Sequence, residues 1–539
     1  MREFILKLKS LYGMWLRQWE DDRQEKAGSF FSFIIRSTSL LAVYVVLDRS
    51  LMRITKLPPE SYSGAFIYLE FLKETLLSWF SVILISMVLL AVMSGRRLLS
   101  SWSDLQFGGS LRWLIMLTAG GLAWAFSTYD FNLYFNYAHY VDRFLLLIFM
   151  VFIYWRPVFV IPFLTFLLPI IWQFNVLHGF PWAIPLLPVK ILVLFSSVFL
   201  VSLLTKKFRT SDFIFLLGCL IAAHYWVSGF GKLSWFWLSK DQLHFLIPAT
   251  YANGWLGFLD SETISSMANF LSNLNLPLRI FTLVVEVGCI FLFLRANVFR
   301  FFIVGWVTLH MGIFLYTGIF FWTWAIVELG LLFLFLKKND LSDLPIYGSQ
   351  YAIWAFVLIL TGVYWCNPVK LAWIDVPVSY TYRFEAENEN GKHFWITPNF
   401  FGPYEYTFTL GNFGYLDNEK PSIAMVWGAG PSELVDLNSK DEFFNYEKER
   451  GLIRYEKEKA EAFRKFLQRY VRNWNERRSK GAYLTVVQAP RFIWTYPAEI
   501  GFSGSKRIVR IKVYQVTSLY VDGTYEEIRN IPVMDLSIY

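Results

Sequence analysis

Two apolar stretches decide the fold class of this chain: residues 187–204 have the sequence LPVKILVLFSSVFLVSLL, and residues 213–230 have the sequence FIFLLGCLIAAHYWVSGF. A helix that crosses the hydrocarbon core of a bilayer needs about 20 mostly apolar residues, and both stretches meet this requirement. Lys206, Lys207 and Arg209 lie between them. The pattern therefore predicts two membrane-spanning helices joined by a short basic loop.

Apolar stretches of similar length recur on both sides of this pair. The predicted spans, about eleven in number, are 30–47, 76–94, 112–127, 143–155, 158–173, 187–204, 213–230, 279–295, 299–317, 319–336 and 350–366. Basic residues concentrate in the loops that face the cytoplasm if the N-terminus is cytoplasmic, as the positive-inside rule requires. The sequence thus predicts a polytopic α-helical protein of the inner or plasma membrane, with a helical transmembrane domain over 29–366.

The C-terminal residues, 371–539, have the pattern of a water-soluble α+β domain. Apolar and polar residues alternate over 380–385, 405–410, 483–487 and 507–516, which predicts strands. Residues 388–391 and 522–523 are typical of hairpin turns. Residues 441–478 are predicted to be helical, and their apolar stripe is formed by Phe463, Phe466, Leu467, Tyr470 and Trp474. Because this domain follows an odd number of spans, we expect it to be extracytoplasmic.

The composition agrees with a membrane protein and excludes nucleic-acid binding. Hydrophobic residues make up 55% of the chain and charged residues 17%, whereas soluble proteins average about 45–50% and about 25%. From Ala372 onward the chain has 22 basic and 22 acidic residues, so the net charge of +8 belongs to the membrane part, where it is an orientation signal. The three cysteines, Cys219, Cys289 and Cys366, lie in or beside apolar stretches, so the soluble domain holds no disulfide framework.

Residues 1–28 are too charged to supply the apolar core of a cleaved signal peptide. One helical face of this segment carries the large apolar side chains Phe4, Leu8, Leu11, Tyr12, Trp15 and Trp19. This pattern is typical of an amphipathic helix in the cytoplasmic headgroup layer, and equally of a soluble helix that packs on the loops.

Ionisable side chains within membrane spans are candidate functional residues, because each costs about 2.5–3.5 kcal/mol on insertion scales. Lys232 ends the seventh predicted span, with Ser228 and His224 at one and two helical turns before it. Glu286 and His310 lie in the eighth and ninth spans, and His139 lies just before the fourth. On the predicted topology these groups share a similar depth in the outer half of the bilayer, which predicts that they converge on one site.

These residues also carry a resemblance to a known family. The segment HYWVSGFGKL over 224–233, followed by Trp235 and Trp237, resembles the Gly-x-x-Lys-Leu…Trp signature of the vitamin K-dependent γ-glutamyl carboxylase and of the related bacterial "horizontally transferred transmembrane" (HTTM) domain proteins. Arg36 within the first span, the segment Asn136–His139, and Glu286 with His310 also resemble features of this family. The resemblance covers residues 20–340.

The resemblance implies an activity and assigns roles to residues. Lys232 matches the lysine that acts as a base on the vitamin K hydroquinone, and His139 and His310 resemble histidines of the same active region. Glu286, His224, Ser228, Asn136 and Trp235 are then supporting residues. The implied cofactor is a reduced quinone of the vitamin K or menaquinone type, with O2 and CO2 if the carboxylase chemistry holds, and with no metal. Gly231 departs from the family pattern, which has a second lysine there, and residues 371–539 show no recognisable propeptide-binding region.

Each candidate residue also has a purely structural interpretation. Lys232 can reach the outer interface with its ammonium group, as lysines at helix ends commonly do. Glu286, His224 and His310 can form hydrogen bonds between helices, and Arg36 and Lys190 can act as anchors. Trp235, Trp237, Trp322 and Trp324 fit an aromatic belt. A zinc site built from His139, His224 and His310 lacks support, because their spacing does not match that of zinc ligands.

Two hypotheses about function follow. The first is an integral membrane enzyme, a lyase of the carboxylase type, that uses Lys232 as a base on a lipidic, quinol-like substrate, with a secreted peptide or protein as second substrate. The alternative is a non-enzymatic maturation or assembly factor whose outer domain binds a peptide or an envelope partner. A transporter is disfavoured because the sequence shows no inverted repeat.

Overall fold

A computed structural model of the chain describes residues 10, 29–76, 82, 86, 89, 100–105, 107–127, 132, 134–137, 139–175, 187–205, 207–336, 344–424, 426–477, 489–494 and 506–539. The predicted amphipathic helix within 1–28, most of the predicted span 76–94, and the predicted strand 483–487 lie outside the described residues.

Helices dominate the described chain up to residue 366. They are α1 (Ser29–Ile54), α2 (Ile67–Leu76), α3 (Gly108–Ser127), α4 (Tyr140–Trp155), α5 (Val160–Trp172), α6 (Leu187–Thr205), α7 (Thr210–Ser234), α8 (Leu246–Ala252), α9 (Ser261–Val287), α10 (Ala296–Thr317), α11 (Trp322–Leu331), α12 (Ser349–Leu360) and α13 (Gly362–Trp365). Among the described residues, α1, α6, α7, α10 and the segment Ser261–Phe291, which contains α9, are long and apolar enough to cross a membrane. Three further apolar helices are shorter: Pro157–Trp172, Trp322–Leu334 and Ser349–Leu360.

These helices indicate a membrane protein, whereas the count of eleven spans and their orientation stay predictions. The predicted spans 143–155 and 158–173 are two separate helices, α4 and α5, with a turn at Arg156 and Pro157 between them. The predicted span 279–295 is part of a much longer helix, because α9 begins at Ser261.

Helix α7 lies at the centre of the bundle and packs against α1, α6, α9 and α12. Its residues are buried on all sides from Asp212 to Gly229, apart from the partly exposed Trp226, as expected for a helix that is apolar around its whole circumference. At the end of α7 remote from the sheet domain, the Arg36 guanidinium of α1 donates to both carboxylate oxygens of Asp212, with N–O distances of 2.9 and 3.2 Å. This buried ion pair fixes α1 against α7.

A four-stranded antiparallel sheet forms the C-terminal domain. The strands of the domain are β1 (Ile374–Asp375), β2 (Val378–Asn388), β3 (His393–Ile396), β4 (Ala429–Gly430), β5 (Ile508–Val521) and β6 (Thr524–Ser537), and its helices are α14 (Glu405–Leu410), α15 (Lys440–Arg450) and α16 (Lys457–Arg477). The sheet has the order β3-β2-β5-β6, and β1 pairs with β4 separately. The predicted stripe on α16 packs into the core of this sheet.

Both predicted hairpin turns are present. Asn388 accepts from Gly391 at the β2–β3 turn, and Asp522 and Gly523 between β5 and β6 both have positive φ, at 53° and 71°. Positive φ at both central residues is the requirement of a two-residue hairpin loop of type I′, which explains the Asp-Gly pair.

Two predictions for this domain are wrong in part. Residues 405–410 were expected to be a strand, but they form helix α14, because Phe408 stacks on Phe401 and Gly411 ends the helix with φ at 58°. Six alternating residues cannot distinguish a strand from a helix whose apolar side chains lie four apart. The helix expected over 441–478 is divided into α15 and α16, since Leu452 forms a bridge to Ser422.

Helix α9 joins the sheet domain to the bundle. The Asp260 carboxylate accepts from the Thr263 backbone N–H at 2.7 Å and caps the start of α9. The first half of α9 lies on the sheet, where the Tyr520 hydroxyl donates to the Asn269 side chain at 3.0 Å. The second half lies in the bundle beside α7, so the last turns of α9 are positioned by both parts of the protein.

Candidate functional site

Lys232 and Glu286 form a buried ion pair at the end of α7 that faces the sheet domain. The Lys232 Nζ atom lies 2.7 and 2.8 Å from the two carboxylate oxygens of Glu286. Only 12% of the Lys232 side chain and 7% of the Glu286 side chain are exposed. The Trp237 ring lies over the ammonium, with its centroid 5.7 Å from Nζ. The amine is therefore directed into the protein and away from bulk water.

Gly229 makes this pairing possible. A Cβ atom at this position would lie 2.8 Å from Glu286 Cβ and 2.8 Å from a methyl group of Val287, closer than nonbonded carbons approach. The absence of a side chain lets α7 and α9 meet one turn before Lys232. The lysine side chain then reaches the carboxylate across the helix contact.

A second polar cluster lies deeper in the bundle and consists of Tyr225, His310 and Glu328. The Tyr225 hydroxyl donates to Glu328 Oε1 and lies 3.2 Å from His310 Nε2. His310 Nδ1 lies 3.3 Å from Glu328 Oε2, and Glu328 is fully buried. Tyr225 stacks on Trp306 with 4.4 Å between ring centroids. The Tyr225 hydroxyl therefore contacts both other side chains, and the three lie together within apolar surroundings.

The two clusters form one row of ionisable groups. Glu286 is close enough to both His310 and Tyr225 for electrostatic interaction. Glu286 and Glu328 supply two negative charges and Lys232 one positive charge. In apolar surroundings an uncompensated charge is costly, so each of these groups is stabilised by the others that lie beside it. Such an arrangement is suited to moving protons.

The sheet domain covers the bundle next to His310. In residues 489–494, Phe492 accepts from the Phe320 backbone N–H at 2.7 Å, and Trp494 donates to the Gly318 carbonyl at 2.9 Å. The Phe321 ring stacks on His310 at 4.9 Å between centroids and meets the Phe492 ring edge-on at 5.1 Å. An aromatic layer thus lies between His310 and the sheet domain.

His139 and Asn136 lie in another part of the protein. His139 Nε2 lies 3.1 and 3.0 Å from the carbonyl oxygens of Tyr62 and Gly64, so Nε2 carries the proton and donates. Asn136 is exposed in a turn, where its φ of 59° suits an asparagine. The geometry gives His139 the contacts of a residue that fixes the connection between α1 and α2.

The side chains of His224, Ser228 and Trp235, although near Lys232 in sequence, have contacts other than the Lys232 ammonium. His224 Nδ1 lies 2.8 Å from the Leu220 carbonyl of its own helix, and its ring packs edge-on against Trp324. The Ser228 hydroxyl donates to the His224 carbonyl at 3.2 Å. Trp235 is 53% exposed, whereas Trp237 lies over Lys232. Of the predicted site residues, the structure brings together Lys232, Glu286 and His310.

Sequence reasoning did not single out Tyr225 and Glu328. Glu328 carried an available signal, because it is an acidic residue within the predicted span 319–336. Tyr225 carried none, since a tyrosine within an apolar helix is common. Among the described residues, no group of three or more His, Cys, Asp or Glu side chains is placed to hold a metal ion.

No protein-family model, no curated protein and no solved structure matches this chain. The resemblance to the carboxylase and HTTM proteins therefore stays an expectation from the sequence of the 224–233 segment and the other residues that share it.

Proposed function

We propose that this chain is an integral membrane enzyme in which Lys232 is the general base for a lipidic, quinol-like substrate in the outer half of the bilayer. One observation carries the proposal: the Lys232 ammonium lies on the Glu286 carboxylate inside the protein, and Glu286 in turn interacts electrostatically with His310. A lysine that served only as an interfacial anchor would extend towards the headgroups.

Apolar surface next to Lys232 supports a lipidic substrate. Phe230, Leu233, Trp235 and Phe236 are exposed around the end of α7. Exposed apolar patches of this kind mark membrane contacts or ligand-binding surfaces. A molecule dissolved in the bilayer can approach Lys232 along these side chains, while polar partners approach from the sheet domain.

The contact with Glu286 defines how Lys232 acts as a base. A base must be neutral, so the Lys232 ammonium has to give up a proton before it can act. Transfer of one proton from Lys232 Nζ to Glu286 gives a neutral amine beside a neutral acid, which is favourable in apolar surroundings relative to separated charges. The amine then takes the proton of a quinol O–H bond, which leaves a quinolate and restores the ammonium. Tyr225, His310 and Glu328 accept or return the proton held by Glu286.

The later steps belong to the resemblance. If the chemistry of the carboxylase applies, reaction of the quinolate with O2 would supply a strong base. That base would remove a proton from the glutamate γ-carbon, and CO2 would add to the resulting carbanion. The sheet domain, placed outside the cytoplasm, then selects a secreted peptide or protein as second substrate.

The experiment uses the full chain in phospholipid nanodiscs supplied with a menaquinol of short side chain. Oxygen uptake and quinone products are measured for the wild type, Lys232→Met and Glu286→Gln. The matched control is Lys240→Met, since Lys240 lies on the following loop in an exposed ion pair with Asp436. Loss of a general base costs about 100-fold or more in rate, so we expect Lys232→Met to lose at least that and Lys240→Met to retain the wild-type rate.

Two outcomes contradict the proposal. A wild-type protein that consumes no menaquinol eliminates the substrate class. Full turnover in a correctly inserted Lys232→Met variant eliminates the lysine base and favours the assembly-factor alternative. Quinone that co-purifies with the wild type is a simpler supporting observation.

A further inference from the structure

The connection between bundle and sheet domain runs along the last turns of α7. The Ser228 hydroxyl lies 3.4 Å from the Val369 carbonyl, near the start of this connection. One turn later, a Cβ atom at Gly231 would lie 2.6 Å from Ala372 Cβ. The absence of a side chain at Gly231 lets the connection pack closely against α7, as the absence of one at Gly229 does for α9. The two glycines thus bring two different segments, α9 and the connection, close to the last turns of α7 before Lys232.

The segment that Gly231 admits carries a second carboxylate, Asp375. Its backbone N–H donates to the Gln242 side chain at 2.8 Å, and its Oδ1 atom accepts from the Trp373 indole N–H at 3.0 Å. Gln242 also reaches the carbonyl of Trp237 at 3.4 Å, so one buried amide joins Asp375 to the residue that covers Lys232. Asp375 is 3% exposed and interacts electrostatically with Lys232.

Asp375 shares the single positive charge of Lys232 with a second carboxylate, Glu286. Glu286 already compensates the Lys232 ammonium through two short contacts. A second buried carboxylate beside this pair is therefore only partly stabilised. Burial raises the pKa of the Asp375 carboxyl to about 7, against the opposing effects of the Trp373 hydrogen bond and the Lys232 charge. At neutral pH both forms of this group are populated, which suits proton exchange.

We propose that Asp375 is the second proton partner of Lys232, and that the sheet domain completes the site in the bundle by supplying it. After Lys232 has taken a proton, the Asp375 carboxylate accepts that proton and becomes a neutral acid, while Lys232 returns to the neutral amine. Asp375 acts through Lys232 and is a positioning residue. The inference rests on the proposed base role of Lys232, but its test does not depend on turnover.

The test is an infrared titration of the full chain in nanodiscs with isotope-labelled aspartate, which separates the C=O stretch of protonated Asp375 from glutamate bands. Asp375→Asn identifies the band by its loss, and we expect the wild-type band to titrate with a midpoint at about pH 7. Lys232→Met removes a positive charge, so the midpoint rises by about one pH unit or more. Glu286→Gln leaves the Lys232 charge uncompensated, so the midpoint falls.

The opposite signs distinguish proton coupling from a structural effect, since a general loosening of the fold moves both variants in one direction. Gly231→Ala keeps all three ionisable groups and moves the connection, so its midpoint follows that of Lys232→Met. Gly120→Ala leaves the midpoint unchanged, because no described residue beyond the neighbouring backbone of its own helix lies within 4 Å of the added carbon. Midpoints that are equal in the wild type, Lys232→Met and Glu286→Gln overturn the inference, whether or not the protein oxidises a quinol.

Discussion

A double-mutant cycle on Lys232 and Glu286 tests the central contact of the site. Both side chains are nearly buried and meet through two contacts of 2.7 and 2.8 Å. Removing one partner of such a pair leaves the other charge uncompensated, which costs about 3–5 kcal/mol. Removing both by residues of similar volume is close to neutral. We therefore expect Lys232→Met and Glu286→Gln each to lose about 3 kcal/mol, and the double variant to lie within about 1 kcal/mol of the wild type.

The free energy of unfolding is measured by SDS titration in mixed micelles and followed by the fluorescence of the 23 tryptophans. The control cycle uses Lys240→Met and Asp436→Asn, whose ion pair lies at the surface with Asp436 72% exposed. Exposed pairs contribute about 1 kcal/mol or less, so this cycle should show little coupling. Additive effects of the Lys232 and Glu286 substitutions would refute the contact and, with it, the proton transfer on which the proposed function depends.

Three further predictions concern stability. Gly229→Ala should lose about 1–3 kcal/mol of unfolding free energy because the added carbon meets α9 at 2.8 Å. The control Gly120→Ala should gain about 0.5–1 kcal/mol. A Gly229→Ala variant as stable as the wild type contradicts the close helix contact. Tyr225→Phe leaves Glu328 Oε1 and His310 Nε2 without their hydroxyl partner and should lower the free energy of unfolding by about 1–3 kcal/mol. Tyr364→Phe, at an exposed position, should not change that free energy measurably in the same titration. The folded-state pKa of Asp375, about 7, is higher than the ordinary value of 3.8. The contribution of its neutral carboxyl group to stability is therefore complete below about pH 4 and is lost as the pH rises to about 7. The difference in unfolding free energy between Asp375→Asn and the wild type should change by about 4 kcal/mol between these limits, and a constant difference contradicts the raised pKa.

The long helices and the strand patterns of the sheet domain were predictable because each depends on a local property. The apolar runs of α6 and α7 are long enough for a bilayer, and the residues of β5 alternate over most of the strand. The short element α14 was predicted wrongly, because its helical form depends on Phe401, which packs on Phe408 from outside the six-residue window. The number of membrane spans needs more than run length and stays a prediction.

The candidate site was predictable only in its residue types. Lys232, Glu286 and His310 were found because charged groups in apolar stretches are expensive and therefore informative. His139 met the same criterion, yet its imidazole binds the carbonyl oxygens of Tyr62 and Gly64. Equal depth in a predicted bilayer says nothing about lateral position, so depth alone grouped residues that the fold separates.

The sequence by itself determined that this chain has a long apolar helical part, followed by a sheet domain with equal numbers of acidic and basic residues. It also showed a few ionisable groups within apolar stretches, where a charge is costly. Each of these features follows from the residue types read in order along the chain, without knowledge of which segments meet in space. Only the tertiary structure decided that Lys232 meets Glu286, that Tyr225 and Glu328 enclose His310, and that Asp375 of the sheet domain reaches the same place. These contacts join residues far apart in sequence, and they depend on how closely helices approach, which Gly229 and Gly231 control through the absence of a side chain.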